Sequence, residues 1–261
     1  MQLRRYLATS DDAIAVLVRR LRRGVLQFTL PAPRVVVRPM LLLYVAGRQL
    51  IHGARRLFIA EPLFKAYCTS YGANVRTGIF VHWVMGKGDL ILGDNVEVRG
   101  KCSFSFASRF SDRPTLRIGS HTNIGHSCSF VVGKAIEIGD HCLIASDVVM
   151  FDSNGHPSDP LGRLNDLPLT PDDVRPIRIG NNVWIGQRSI ISPGVKIGDN
   201  SIVSAGAVVI TEVPANVIVA GNPARKIGSL TPPPSSTPVD AADASDVAAA
   251  PAPDAPISAV A

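Results

Sequence analysis

An aliphatic residue recurs at every sixth position between residues 179 and 209. The leading positions are Ile179, Ile185, Ile191, Ile197, Val203 and Val209. An α-helix does not suit this spacing, because six residues advance about 600° around the axis and each repeat would face a new direction. In a strand, an even spacing keeps every leading side chain on one face. The repeat therefore predicts short strands stacked in coils, which is a β-solenoid.

The same phase occurs earlier in the chain. It places leading residues at 92, 98 and 104, then at 118, 124 and 130, and after a two-residue slip at 138, 144 and 150. Four places after a leading residue comes a small or β-branched side chain, and Cys102, Cys128 and Cys142 occupy this slot. We expect these three cysteines to be reduced and to pack inside the coils.

The repeat breaks once for a long stretch. It ends at Met150 and restarts at Ile177 or Ile179, and the intervening segment of about 151–176 begins "FDSNGHP", with His156 beside a proline. A long insertion in a regular solenoid is a candidate for function.

The first 72 residues have a different character and are predicted to form a basic helical extension. Helices are expected over 10–24, from about Met40 after Pro39 to Ile59, and over 61–72. Residues 1–66 carry 12 Lys/Arg against 3 Asp/Glu. Such a charge excess favours an anionic partner, either phospholipid, a lipid-linked pyrophosphate or nucleic acid, although a solvated helix face explains it equally well.

The last segment, 230–261, is rich in Pro, Ala, Ser and Asp, and this composition predicts a disordered tail. The four cysteines form no CxxC pair, and no signal peptide is visible. The longest apolar run, "MLLLYVA" at 40–46, is too short to span a bilayer. We therefore expect a cytoplasmic protein, with a peripheral contact at the inner membrane face through residues 1–66.

The six-residue repeat, the "DSNGHP" insertion, the "NNVWIG" restart and the closing "AGNPARKI" together resemble the hexapeptide-repeat acyltransferases. Among these, the chain is most similar to the xenobiotic, galactoside and maltose acetyltransferases, a branch that includes polysaccharide-modifying O-acetyltransferases. The resemblance covers a domain of 73–229. It implies an all-β core, a left-handed parallel β-helix with about 18 residues per coil, and a homotrimer with active sites between neighbouring subunits.

The resemblance also implies a reaction. It predicts an acetyl-CoA-dependent O-acetyltransferase for a sugar or a lipid-linked glycan, in surface-polysaccharide or glycoconjugate synthesis, with no metal. His156 stands at the position of the family's catalytic histidine. A histidine suits the role because a general base must take the hydroxyl proton as the oxygen attacks the thioester. Asp152 or Asn154 could orient its imidazole, and Arg163, Asn165 and Asp166 are polar candidates for contact with the acceptor.

The resemblance also assigns acetyl-CoA contacts to residues whose positions match those of the family's motifs. Trp184 matches a tryptophan that lines the cleft, Gln187 a further donor contact, and Ala205 a residue whose backbone meets the pantetheine arm. Arg225 matches a basic residue near the nucleotide phosphates. Thr211 replaces the family's usual lysine, which puts one phosphate contact in doubt, and Lys226 could compensate for it.

Two other readings remain open from the sequence. His121 and His126, with His82 upstream, resemble the zinc ligands of the γ-class carbonic anhydrases, which share the β-helix fold. The second alternative is a non-enzymatic trimeric scaffold that binds a membrane or nucleic acid. The insertion and the closing motif favour the acyltransferase. We therefore expect neither a metal ion nor a nucleic-acid partner.

Overall fold

The computed structural model describes residues 2–231, with the side chains of 5–170 and 172–231. The predicted tail therefore lies outside the described residues, except for Leu230 and Thr231. The chain divides into two compact units, one that ends at Arg55 and one that begins at Arg56.

The first unit is helical and consists of α1 (Gln2–Thr9), α2 (Ala13–Gln27) and α3 (Arg34–Arg55). The predicted bounds of α2 and α3 were wrong at both ends, and α1 was not predicted. Helix α2 continues through Gly24, because glycine permits a left-handed turn without imposing one. Helix α3 begins six residues before Met40 and includes Pro39, so it loses only the hydrogen bond that the proline nitrogen cannot donate.

Large apolar side chains cover much of this unit's surface. Helix α3 has no buried residue, and the exposed fractions of Leu42, Leu43 and Leu50 are 70%, 75% and 76%. Among the described residues, no helix is both long enough and apolar enough to cross a bilayer.

The second unit is a left-handed parallel β-helix, as predicted. Each of six coils contributes one strand to each of three parallel sheets, which we call the first, second and third faces. The first face contains β1 (Ser70–Tyr71), β4 (Asp89–Leu92), β7 (Thr115–Ile118), β10 (Ala135–Ile138), β13 (Ile177–Ile179) and β16 (Lys196–Ile197). The second contains β2 (Arg76–Thr77), β5 (Glu97–Val98), β8 (Asn123–Ile124), β11 (Leu143–Ile144), β14 (Trp184–Ile185) and β17 (Ile202–Val203), and ends with β19 (Val217–Ala220) and the antiparallel β20 (Arg225–Ser229). The third contains β3 (Trp83–Met85), β6 (Ser103–Phe106), β9 (Ser129–Val132), β12 (Val149–Phe151), β15 (Ile190–Ile191) and β18 (Val208–Val209).

The leading residues of the repeat stack in register along the core. On the second face, Ile144 pairs with Ile185 and Ile185 with Val203, and all three side chains are buried. Every leading residue between 179 and 209 is at least 96% buried. The prediction that an even spacing points these side chains inward is confirmed.

The three cysteines of the small-residue slot are buried where the coil turns from one face to the next. The thiols of Cys102, Cys128 and Cys142 donate to carbonyl oxygens of the following coil at 3.3, 3.1 and 3.1 Å. Burial raises the pKa of the Cys142 thiol, so it stays protonated. Their predicted role in packing is confirmed.

A short helix closes the N-terminal end of the core. Helix α4 (Glu61–Tyr67) follows a π-helical segment, Arg56–Ala60, and it ends five residues before the predicted bound because β1 then pairs with β4. The ring of Phe64 lies 4.5 Å from His82 and 5.8 Å from Phe104. Helix α4, which belongs to the predicted basic helical extension, is therefore an integral part of the β-helix unit.

His82 lies in this closure with both ring nitrogens occupied. Its Nδ1 accepts from the amide of Cys102 at 3.2 Å, and its Nε2 contacts Thr77 Oγ1, which donates to the Val98 carbonyl. Burial lowers the pKa of His82 from 6.5 to about 4, because the charged imidazolium is desolvated. The folded protein therefore holds a neutral imidazole.

This burial predicts a loss of stability on acidification. Between pH 6.5 and about 4 the unfolded chain binds a proton at His82 that the folded chain does not, so the free energy of unfolding falls as the pH falls. Urea unfolding at several pH values in this window should show a steeper fall for the wild type than for His82→Gln. Equal pH dependence of the two proteins would contradict the expectation.

Candidate active site

The long insertion, residues 152–176, is fastened to the coil at its first residue. The buried carboxylate of Asp152 accepts from the amides of Gly133, Lys134 and Ala135 at 2.6, 2.7 and 2.9 Å. Burial raises the pKa of Asp152, and these amide hydrogen bonds oppose the rise. Both carboxylate oxygens of Asp152 are thus engaged by the turn between β9 and β10, and the structure shows no contact between Asp152 and the His156 imidazole.

The far end of the insertion is joined to its start. Ser153 forms an antiparallel bridge with Val174, and the amide of Arg175 donates to the Asp152 carbonyl at 2.8 Å. Between these points lies α5 (Pro160–Leu164), whose first turn is capped by Asp159, since its carboxylate accepts from the Gly162 amide at 2.6 Å. The insertion is thus a closed loop with an ordered base, which we call the His156 loop.

His156 lies at the exposed part of this loop. Gly155 before it has φ +81°, a conformation that glycine adopts without strain. Among the described residues, the imidazole of His156 has no hydrogen-bond partner, so both ring nitrogens are free to meet a substrate. Asn154 is exposed two residues earlier.

His156 borders a cavity of about 350 Å³, which we call the His156 cavity. Its other lining residues are Arg109, Phe110, Gly155, Pro157, Arg163, Asp166, Leu167, Pro168 and Leu169. The guanidinium of Arg163 donates from Nη1 to the carbonyls of Pro157 and Ser158 at 3.0 and 2.6 Å. Arg163 therefore braces the chain directly after His156, in addition to lining the cavity.

Arg109 and Phe110 were missed in the sequence analysis. They belong to a shorter insertion, residues 107–114, which follows β6 and which we call the Arg109 loop. The signal was present, since the leading residues Phe104 and Ile118 are 14 positions apart instead of six. Only the stacking of β6, β9 and β12 on the third face shows that this break lies beside the long one.

A second cavity, of about 400 Å³, lies on the second face. We call it the Trp184 cavity; Trp184 and Gln187 line it together with Arg99, Asn123, Ile124, Gly125, His126, Leu143, Ile144, Ala145 and Ser146. The side chains of Trp184 and Leu143 are neighbours in register, and each is 51% exposed. Gln187 donates to the carboxylate of Asp147 at 3.2 Å.

The other predicted donor residues lie outside this cavity's lining. Ala205 is one coil further along, where the amide of the next residue, Gly206, donates to the Gln187 carbonyl at 2.8 Å. Thr211 and Arg225 are exposed near the C-terminal end of the coils, and the Arg225 guanidinium donates to the Ala224 carbonyl at 2.9 Å. The lining residues of the His156 and Trp184 cavities do not overlap, so a single chain does not join the two.

The histidines of the zinc hypothesis are not brought together. His82 is buried with both nitrogens engaged, and β8 separates His121 from His126. The ring of His121 instead stacks on His141, with 4.8 Å between centroids. Among the described residues, no three His, Cys, Asp or Glu side chains are grouped to hold a metal ion.

Comparison with known proteins supports the acyltransferase resemblance. The family model described as bacterial transferase hexapeptide (six repeats) matches residues 176–211, and that of the hexapeptide repeat of succinyl-transferase matches 115–150. Nodulation protein L of Rhizobium meliloti is 36% identical over 143 residues, which cover 55% of this chain and 71% of that protein. The chain belongs to the hexapeptide-repeat transferase family.

Two further known proteins extend the comparison. Galactoside O-acetyltransferase of Escherichia coli is 38% identical over 139 residues, 53% of this chain, and the match spans 63% of that enzyme. A structure of a mutant of AntD, an N-acyltransferase from Bacillus cereus, in complex with dTDP-4-amino-4,6-dideoxyglucose and coenzyme A, superposes with a TM-score of 0.53 at 25% identity. That likeness covers 66% of this chain and 89% of AntD.

Proposed function

We propose that this hexapeptide-repeat transferase moves the acetyl group of acetyl-CoA to a sugar hydroxyl, with His156 as the general base. The observation that carries the proposal is an exposed, unpartnered imidazole among the described residues, held at a polar cavity by a loop that is fastened at its base. The names of the related galactoside O-acetyltransferase and of AntD, which was solved with coenzyme A, support the donor and the acceptor class.

The chemistry needs few groups. The His156 imidazole takes the hydroxyl proton as the oxygen attacks the thioester carbonyl, and the resulting tetrahedral oxyanion is stabilised by hydrogen-bond donors. Collapse of that intermediate breaks the carbon–sulfur bond, forms the acetyl ester and releases coenzyme A, whose thiolate recovers the proton from the imidazolium. No covalent enzyme intermediate is required.

Release of the coenzyme A thiol, followed with a panel of glycosides as acceptors, tests this proposal. We expect thiol release only with some glycosides, and mass spectrometry of those glycosides should show the gain of one acetyl group. Thiol release without acetylated product, or none with any acceptor, would argue against the proposed reaction.

We further propose that the complete site forms between two subunits of a homotrimer. The separation of the His156 cavity from the Trp184 cavity supports this arrangement, because the proposed base and the proposed donor residues then meet only when the His156 loop of one subunit approaches the second face of its neighbour. Gln187 would lie on the donor side with Trp184, and Ala205, Thr211 and Arg225 further along the coils.

Mixed trimers provide a direct prediction. His156→Ala and Trp184→Ala subunits, each poorly active alone, should regain about a quarter of wild-type activity when unfolded and refolded together in equal amounts, because one site in four then has both intact residues. Refolded wild-type protein sets the reference. Activity that stays at the level of the separate variants would place both residues in one subunit's site.

The basic helices suggest where the enzyme works. We propose that α2 and α3 lie on the cytoplasmic surface of a membrane that contains anionic lipid, near a lipid-linked acceptor. The exposed leucines of α3 would enter the interface, and the arginines of both helices would meet the headgroups. Phe64 and Ala60 are buried in the β-helix unit, so the proposed contact is confined to the part before Arg55.

Sedimentation with vesicles tests this contact on the full chain. We expect binding to phosphatidylserine-containing vesicles that weakens with salt. The affinity should fall about 30-fold in Arg22→Gln/Arg23→Gln, since each basic residue near the surface contributes about 1 kcal/mol. The matched control, Arg76→Gln/Arg117→Gln, removes two exposed arginines from the β-helix and should bind like the wild type. Equal loss in both pairs would contradict the assignment.

A further inference from the structure

We propose that the acceptor carries an anionic group, and that Arg109 in the His156 cavity binds it. This inference rests on the proposed function and narrows its substrate class to glycosides with a phosphate or a carboxylate. It starts from the two arginines of the cavity, Arg109 and Arg163, which come from different insertions and meet only in the folded chain.

The two arginines differ in their hydrogen bonds and ion pairs. Arg163 is engaged, because its guanidinium donates to the carbonyls of Pro157 and Ser158 within its own loop. Arg109 has neither a hydrogen bond nor an ion pair with any described side chain or carbonyl. Asp166 lines the same cavity but pairs with neither guanidinium within 4.0 Å among the described residues.

The Arg109 loop holds a second arginine that serves as a comparison. Arg113 is ion-paired with Asp89 at 2.9 Å and does not line the cavity. One arginine of this loop therefore has a structural partner, whereas Arg109 presents an unneutralised guanidinium beside the proposed base. A guanidinium binds phosphate and carboxylate through paired, charge-assisted hydrogen bonds.

The rest of the lining suits a sugar that carries such a group. Phe110 supplies an aromatic side chain next to Arg109, and Leu167, Pro168 and Leu169 form an apolar wall. A volume of about 350 Å³ accommodates a monosaccharide with one charged substituent. The anion at Arg109 would fix the orientation of the ring and so select which hydroxyl reaches His156.

The test compares one neutral acceptor, methyl glucoside, with two anionic acceptors. These are the methyl glycoside of glucuronic acid, called methyl glucuronide below, with a carboxylate in place of the 6-hydroxymethyl group, and glucose 1-phosphate, with a phosphate at C1. For the wild type we expect kcat/KM for at least one anionic acceptor to exceed that for the neutral one by about 10- to 100-fold, the range for a hydrogen bond to a charged group. Arg109→Gln should reduce this ratio to about one, and Arg109→Lys should retain part of the preference for the anionic acceptor. The control Arg113→Gln should keep the wild-type ratio. The two anionic acceptors distinguish a phosphate site from a carboxylate site.

A binding measurement separates this proposal from the proposed reaction. Calorimetric titration of glucose 1-phosphate and of the methyl glucuronide should show binding to the wild type and to His156→Ala, and a loss of binding in Arg109→Gln. If the anionic acceptors bind in an Arg109-dependent way but are not acetylated, the proposed anion site stands and the proposed acetyl transfer is overturned. Acetylation with equal kcat/KM for neutral and anionic acceptors, or a ratio unchanged in Arg109→Gln, would overturn the anion site and leave the reaction standing.

Discussion

His156→Ala should lower kcat for acetyl transfer by about 10²- to 10⁴-fold, the usual contribution of a positioned general base. The reason is that the sugar hydroxyl is a poor nucleophile until its proton is removed, and no other titratable side chain of the described cavity lining except Asp166 could take that proton. The KM for acetyl-CoA should change little, because the proposed donor contacts come from Trp184, Gln187 and residues further along the coils and not from His156. Steady-state kinetics with an acceptor identified in the glycoside panel measures both quantities.

A second exposed histidine provides the control for this variant. His141 stacks on His121 at a corner of the coils and lines neither cavity, so His141→Ala should retain the wild-type kcat. If His156→Ala kept more than about a tenth of wild-type kcat, a base contribution of the usual size would be ruled out. Asp166→Asn would then be the next variant to measure.

Asp152→Ala should destabilise the protein by about 2–4 kcal/mol and also lower kcat. The variant leaves three backbone amides of the β9–β10 turn without their acceptor. The Gly133 amide is buried, and an unsatisfied buried donor costs about 1–3 kcal/mol. The Lys134 and Ala135 amides are part-buried and add less, because water can reach them. The base of the His156 loop would be released from the coil, so the imidazole would no longer be held at the cavity. Urea unfolding and steady-state kinetics measure the two effects.

Asp159 offers a matched comparison within the same loop. Its carboxylate accepts a single amide, that of Gly162, at the exposed start of α5, so Asp159→Ala should cost only about 1 kcal/mol, as for other helix caps. Asp152→Asn keeps one acceptor oxygen but turns an NH₂ group toward amide donors, and it should lie between the two alanine variants in stability. Equal stability of Asp152→Ala and Asp159→Ala would contradict the fastening role of Asp152.

The fold was predictable because the repeat length is even. Ile185 and Val203 point inward for the same reason that their spacing excludes a helix, and a single chain suffices to recognise this. Helix bounds were less predictable, because they depend on partners distant in the chain. Helix α4 ends at Tyr67 since β1 pairs with β4, and residues 61–72 alone do not contain that information.

The candidate site was likewise predictable only in part from the sequence. The position of His156 followed from a motif and from the break in the repeat, whereas the direction of the Asp152 side chain did not. A carboxylate four residues before a histidine is compatible with contact to the imidazole, but the amides of Gly133, Lys134 and Ala135 offer it three hydrogen bonds. Those amides belong to the preceding coil, and their approach is a consequence of strand stacking.

The repeat alone thus predicted a β-solenoid and its inward residues, because a spacing of six places side chains on one face of a strand. The break in the repeat marked the loop that carries His156, and the family resemblance supplied the left-handed β-helix. The tertiary structure decided which breaks in the repeat lie side by side. Coils stack with residues far apart in sequence in contact, so only the folded chain unites Arg109 with His156 and leaves Trp184 in a separate cavity.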